Sequence, residues 1–225
     1  IALIIMSAFC FAVMNAFVRL AGDVPTVQKS FFRNAVAAVF AFIVIKKEHI
    51  GLGWKKGNLK FHLIRSAFGT LGILCNFYAI DHLMLSDASM LNKMSPFFVI
   101  IFSLIFLRER VTPMQLLFVI AAFAGSLFII KPSFTGMAPI PALVGFIGGM
   151  GAGGAYTAVR YMGQHGEKGP FIVLFFSLFS CAVTLPYLIF SYSPMTLKQL
   201  LYLLCAGLAA AGGQFSITAA YSRSP

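Results

Sequence analysis

Apolar residues arrive in runs about as long as a lipid bilayer is thick, and the polar positions are gathered into the short stretches between them. A helix needs about 20 mostly apolar residues to cross the hydrocarbon core. At that width eight spans are predicted, over Ile1–Ala21, Val27–Ile45, Leu63–Ile80, Ser86–Leu107, Met114–Ile130, Ile140–Val159, Phe171–Phe190 and Leu200–Tyr221. Lys29 and Arg33 interrupt the second and Arg65 the third, each close enough to a span end for a long cationic side chain to reach the interface. The expected fold class is therefore an all-α polytopic membrane protein, because a backbone in lipid must satisfy its own hydrogen bonds and helices do so locally.

Composition supports the bilayer. Hydrophobic residues make up 60% and charged residues 10% of the 225, against about a quarter charged in an ordinary soluble domain. The net charge of +11 does not point to nucleic acid. The basic residues sit in connections between spans, without a stripe interleaved with aromatics. One side of the predicted topology collects Lys46, Lys47, Lys55, Lys56, Lys60, Arg108, Arg110, Arg160, Lys168 and Arg223, whereas the other has only Lys131 and Lys198. The positive-inside rule makes the first side cytoplasmic. Cys10, Cys75, Cys181 and Cys205 lie within apolar runs without metal-ligand spacing and read as packed small hydrophobes.

At an offset of 141 residues the chain overlies itself. Val18, Arg19 and Gly22 match Val159, Arg160 and Gly163, and Gly72 and Ala79 match Gly213 and Ala220 at the same offset. Spans one to three thus correspond to spans six to eight. Five crossings separate the copies, so the second is threaded in the opposite sense. Inverted repeats of this kind recur in secondary transporters, whose similar halves exchange conformations around one central site. The first copy is expected over residues 1–132 and the second, incomplete, over 139–225. The offset places two further helices beyond Pro225, and both ends of the sequence look cut.

The segment Leu85–Thr112, with an Ala/Ser-rich start, Pro96 mid-span and an exit at Glu109-Arg110, resembles the fourth span of the drug/metabolite transporter superfamily, EamA-like branch. Phe31-Phe-Arg-Asn34 is similar to that family's second-span arginine motif. Gly125 with Lys131-Pro132 is similar to its fifth span, and Gly212–Tyr221 to its eighth. The resemblance implies ten spans in two inverted five-span repeats, a permease function and no catalysis. Lys93 departs from the family, which is Ser- and Leu-rich at that point.

Helical rise places Arg33 and Lys93 each about 10 Å below the outer ends of their helices, with Asn15, Asn76, Tyr78 and Asn92 in the same layer. Such a layer reads as the lining of a cavity, since polar groups in hydrocarbon are costly unless they face water or one another. Asn15 and Asn76 are equally readable as glue between helices, and Lys29 and Arg33 as a pair reaching outward. Lys93 has no acidic partner in its span and is assigned to the lining, with Tyr156 and Gln214 as candidates from the second half. Gly145, Gly149 and Gly153, at four-residue spacing, suit close helix packing or a hinge. Pro96 and Pro186 are candidate kinks.

None of the six acids falls mid-span, which disfavours proton exchange for a cationic drug and favours an anionic or zwitterionic solute. His49, His62, His82 and His165 are scattered through connections without paired carboxylates, so an embedded enzyme is the weaker alternative. The expected function is secondary transport of a small organic metabolite, amino-acid-like, nucleotide-like or an organic anion, by alternating access. Export of drugs or toxic metabolites is the alternative. The expected partners are a small-molecule substrate, the lipid bilayer of a bacterial inner membrane and a proton as the candidate coupling ion, with neither cofactor, metal nor nucleic acid.

Overall fold

A computed structural model describes residues 2–55, 57–107, 112–130 and 138–223. The exits at Arg108–Arg110 and Lys131-Pro132, and Lys56, fall outside them. Helices occupy every predicted span: α1 (Ala2–Leu20), α2 (Thr26–Lys47), α3 (Leu59–His82), α4 (Leu85–Asn92), α5 (Ser95–Phe102), α6 (Pro113–Ile130), α7 (Pro139–Gln164), α8 (Gly169–Ser191) and α9 (Leu197–Arg223). Seven segments among the described residues are long and apolar enough to cross a membrane, counting Leu85–Leu107 as one, and α6 is a further apolar helix of 18 residues. The protein is an all-α polytopic membrane protein.

Its surface reverses the pattern of a soluble domain. Ile5, Phe9, Ile43, Phe106, Phe118 and Phe190 are all exposed, while Gln28, Lys29, Arg33, His62 and Arg65 are buried. Hydrocarbon outside makes exposed apolar side chains favourable and drives polar ones towards the middle of the bundle.

Two predicted elements differ in detail. The fourth span is not continuous: the helix stops at Asn92, turns through Lys93-Met94, restarts at Ser95 and ends in a π-helical turn over Ser103–Leu107. Pro96 accounts for the restart, because its missing N–H is harmless only in a first turn. Pro186, by contrast, lies inside the unbroken α8. The third span begins at Leu59, four residues before the predicted Leu63. That shift carries Arg65 six residues, about 9 Å, into the helix.

Helix pairing follows a pattern. α3 packs chiefly on α7, α1 on α9 and α2 on α8, with α2 also on α9 and α3 on α8. Exchanging α1 with α7, α2 with α8 and α3 with α9 maps this set of contacts onto itself. Gly72 and Gly213, matched at offset 141, sit at equivalent places in it. Gly72 faces the backbone of α7, where an added Cβ would meet Gly148 O at 3.2 Å, and Gly213 faces α1, where it would meet Phe11 at 2.8 Å.

The glycines of α7 pack in two directions. Gly148 and Gly151 lie against α3, and Gly145, Gly149 and Gly153 lie against α4 and α5. A Cβ on Gly149 would come within 2.6 Å of Leu91 O, a backbone atom that cannot rotate away. α7 is a single uninterrupted helix, so the spacing acts in close approach.

Gly149→Val is therefore expected to lower stability by about 1–3 kcal/mol through overpacking. Gly51→Ala, at a position with nothing within 4 Å, should stay within about 0.5 kcal/mol of the parent. Thermal unfolding of both variants in detergent measures the difference.

Candidate functional site

A cavity of about 60 Å³ lies in the middle of the bundle. Met14 of α1, Arg33 of α2, Arg65 and Asn76 of α3, Asn92 of α4, Tyr156 of α7, Phe176 of α8 and Gln214 of α9 all reach it. Helices from both sides of the 141-residue offset thus contribute.

Its chemistry is set by two arginines. Arg33 and Arg65 are 1% and 2% exposed. Their guanidinium carbons lie 5.9 Å and 4.0 Å from the centroid of one ring, that of Phe176. Arg33 Nη1 donates to Asn34 Oδ1 at 2.5 Å, and Asn34 Nδ2 donates in turn to Ser180 Oγ at 2.8 Å. Arg65 Nη2 donates to Gln214 Oε1 at 2.9 Å. The Nε atoms of both have no hydrogen-bond partner. Ion pairs among the described residues include Lys29–Asp81 and His62–Glu167, and no described carboxylate joins the two guanidinium groups in the cavity lining.

The ring and the two amides compensate the charge incompletely. A desolvated cation–π contact contributes about 2 kcal/mol, whereas leaving an ion buried and unpaired costs several.

Gly69 explains why Arg65 points inward. A Cβ at position 69 would meet the Arg65 guanidinium and would lie 2.9 Å from Phe176 Cε2. Residues i and i+4 share a helix face, so the bare backbone at Gly69 leaves a groove along which Arg65 lies towards the bundle centre. The sequence reading had Arg65 reaching the nearby interface. The earlier helix start and this groove account for the difference.

The remaining predicted residues divide. Arg33, Asn76, Asn92, Tyr156 and Gln214 line the cavity. Asn15 is buried beside it, and its Oδ1 accepts from Asn76 Nδ2 at 3.5 Å, a contact between helices. Tyr78 stacks on His82 with ring centroids 4.0 Å apart. Lys93 does not line the cavity: it occupies the turn between α4 and α5, and its side chain is exposed. Pro96 starts α5, and Gly145, Gly149 and Gly153 pack against α4 and α5. Arg65 and Phe176 are the lining residues that the sequence reading did not assign.

Polar contacts bridge the bundle at both ends. At the lysine-rich end Glu167 Oε1, in the connection from α7 to α8, accepts from the Lys55 N–H at 2.8 Å and from Asn58 Nδ2 at 3.1 Å. His62 Nε2 lies 3.5 Å from the same oxygen. His62 is fully buried and lies in α3, not in a connection as expected, because the earlier start of α3 draws it into the helix. At the opposite end Gln28 exchanges two bonds with the Ser193 backbone, Nε2 to O at 2.8 Å and N to Oε1 at 3.0 Å. Lys29 pairs with Asp81 at 2.5 Å, and Thr26 Oγ1 donates to the same carboxylate at 3.0 Å. Lys29 is thus buried and paired, not extended outward.

The model of the EamA-like transporter family matches residues 1–131. The pseudopaline exporter CntI of Pseudomonas aeruginosa is 32% identical over 222 residues, 98% of this chain and 77% of that protein. The riboflavin transporter of Brucella anthropi is 30% identical over 146 residues, 61% of this chain and 51% of that one. A protein of known crystal structure shares the fold with a TM-score of 0.77 at 14% identity, over 100% of this chain and 80% of its own.

Asp81→Asn should destabilise the protein by about 3–5 kcal/mol, since it leaves the Lys29 ammonium buried without a counter-charge. Lys29→Met added to it is expected to restore most of the loss. A double-mutant cycle by thermal unfolding tests the coupling.

Proposed function

The chain belongs to the EamA-like transporter family and is a multi-pass membrane transporter, and from that premise we propose that it moves a small organic metabolite across a bacterial inner membrane by alternating access around the Arg33–Arg65 cavity. The carrying observation is the cavity itself. It is charged, it lies mid-bundle, and helices on both sides of the 141-residue offset line it. Residues 1–132 and 139–225 are taken as the two units that rearrange.

Support comes from the two bridged ends. Opening the cavity to one side means parting Glu167 from Lys55 and Asn58, and opening it to the other means parting Gln28 from Ser193. Each set comprises a few hydrogen bonds, each worth about 0.5–1.5 kcal/mol net, so a bound solute or a coupling proton can shift the balance. The volume fits this picture. About 60 Å³ admits a few waters or the head group of a solute, and passage of a whole metabolite requires the surrounding helices to move.

Amino-acid-like, nucleotide-like and anionic solutes are the candidate cargo, and the name of the 32% identical relative favours export. Export of a cationic drug is the weaker reading, because no described carboxylate reaches the cavity to hold a cation. Membership of a transporter family, with relatives named as transporters, makes the protein a non-enzyme transporter.

Flux through proteoliposomes of the full-length protein tests the reading. Arg65→Gln is expected to lower the initial rate about tenfold or more, as for a lost hydrogen bond to a charged group. Lys93→Met should change it less than about twofold, within the range of exposed substitutions. Solute that crosses no faster than in empty liposomes, for every metabolite class tried, would refute transport.

A further inference from the structure

We infer that the cavity takes an oxyanion carrying two negative charges, a phosphate ester or a dicarboxylate, whose oxygens bridge the guanidinium groups of Arg33 and Arg65 beside Phe176. The inference rests on the transport reading and narrows its cargo.

Charge balance is the first ground. Two fully buried guanidinium groups approach one aromatic ring, and their hydrogen-bond partners among the described residues, Asn34 and Gln214, are neutral. Among the described acids Asp81 pairs with Lys29 at 2.5 Å, Glu167 meets the Lys55 N–H, Asn58 and His62, and none lines the cavity. A site with two uncompensated positive charges in low dielectric is matched by a ligand that brings two negative ones.

Donor geometry is the second. Each Nε lacks an acceptor while fully buried. A guanidinium fork suits two oxygens of one carboxylate or phosphate. Arginines serving only as helix glue would spend these donors on protein acceptors, since buried polar groups are ordinarily paired. Gly69 adds a third ground, because the groove it leaves holds Arg65 against Phe176 rather than out towards the interface.

The same features discriminate among cargo classes. An ammonium group would find neither a described carboxylate in the lining nor relief from the two arginines. Amino acids are therefore poorer ligands than dianions of similar size. The volume of about 60 Å³ accommodates the charged head group, and the rest of the solute must enter space that opens when the bundle rearranges.

Purified full-length protein in detergent provides the test, with ionic strength held constant by sodium chloride. Thermal unfolding is followed with inorganic phosphate, glycerol 3-phosphate, succinate, uncharged succinamide and the cation putrescine. At least one dianion is expected to raise the melting temperature saturably, while succinamide and putrescine do not. A response to glycerol 3-phosphate without succinate identifies a phosphate ester, and the reverse a dicarboxylate.

Arg65→Gln should weaken the responding dianion about tenfold or more. Gly69→Ala, which keeps both charges and crowds Arg65 and the Phe176 ring beside it, should weaken it in the same direction; it decides the matter if Arg65→Gln fails to fold. No response to any oxyanion, equal responses to succinate and succinamide, or affinity unchanged in the folded variants would overturn the inference. Transport is judged separately: flux of some solute that is indifferent to Arg65→Gln defeats the anion site and leaves the transporter standing. Dianion binding without flux of any solute does the opposite.

Discussion

Two positive charges buried without a described negative partner constrain this protein more than any other interaction. Hydrocarbon surrounds the bundle, so Arg33 and Arg65 cannot be left at its outside, and the helices must enclose them. The enclosure is assembled from small pieces. Phe176 offers its ring, Asn34 and Gln214 offer side-chain oxygens, and Gly69 gives up a side chain so that Arg65 can lie flat. Each piece comes from a different helix or a different turn, which ties the conformation of the site to the packing of the whole bundle.

The scaffold is more symmetric than the site. Pairing of α1 with α9 mirrors pairing of α7 with α3, and Gly72 and Gly213 perform matching tasks in the two interfaces. The charges do not follow. At the same offset Arg33 corresponds to Leu174 and Arg65 to Ala206. On the proposed alternating-access reading, the framework exchanges between two related arrangements while the solute meets the same two guanidinium groups in both.

How much of this was legible in the sequence depends on the length scale of the signal. Spans were readable because a bilayer demands some twenty apolar residues at a time, and every predicted span coincides with a helix or a broken helix. The expected repeat rests on Val18, Arg19 and Gly72 and their matches, with which the helix pairing is consistent. Among the residues that line the cavity, Arg33, Asn76, Asn92, Tyr156 and Gln214 stood out in the sequence, since polar residues within apolar runs are conspicuous. Arg65 was not, because Lys60 and His62 masked the true start of α3 and made it look interfacial. An N-terminus at Asn58-Leu59, giving a 24-residue helix, was the available signal. Phe176 carried none, being one phenylalanine among 25. Lys93 was placed wrongly within an unbroken helix, and the turn at Lys93-Met94 gives its side chain a different direction.

The glycine-lined contact between α3 and α7 dictates the kind of motion available. Backbones meet there through Gly72, Gly148 and Gly151, with few side chains projecting between them. Small residues make shallow ridges, so one helix can slip along the other without exchanging rotamers. Peeling the two apart, on the other hand, would strip both of van der Waals contact along a stretch where lipid tails cannot follow the contour. Shear along the helix axes, and not a swinging open of the bundle, is the displacement that this interface tolerates.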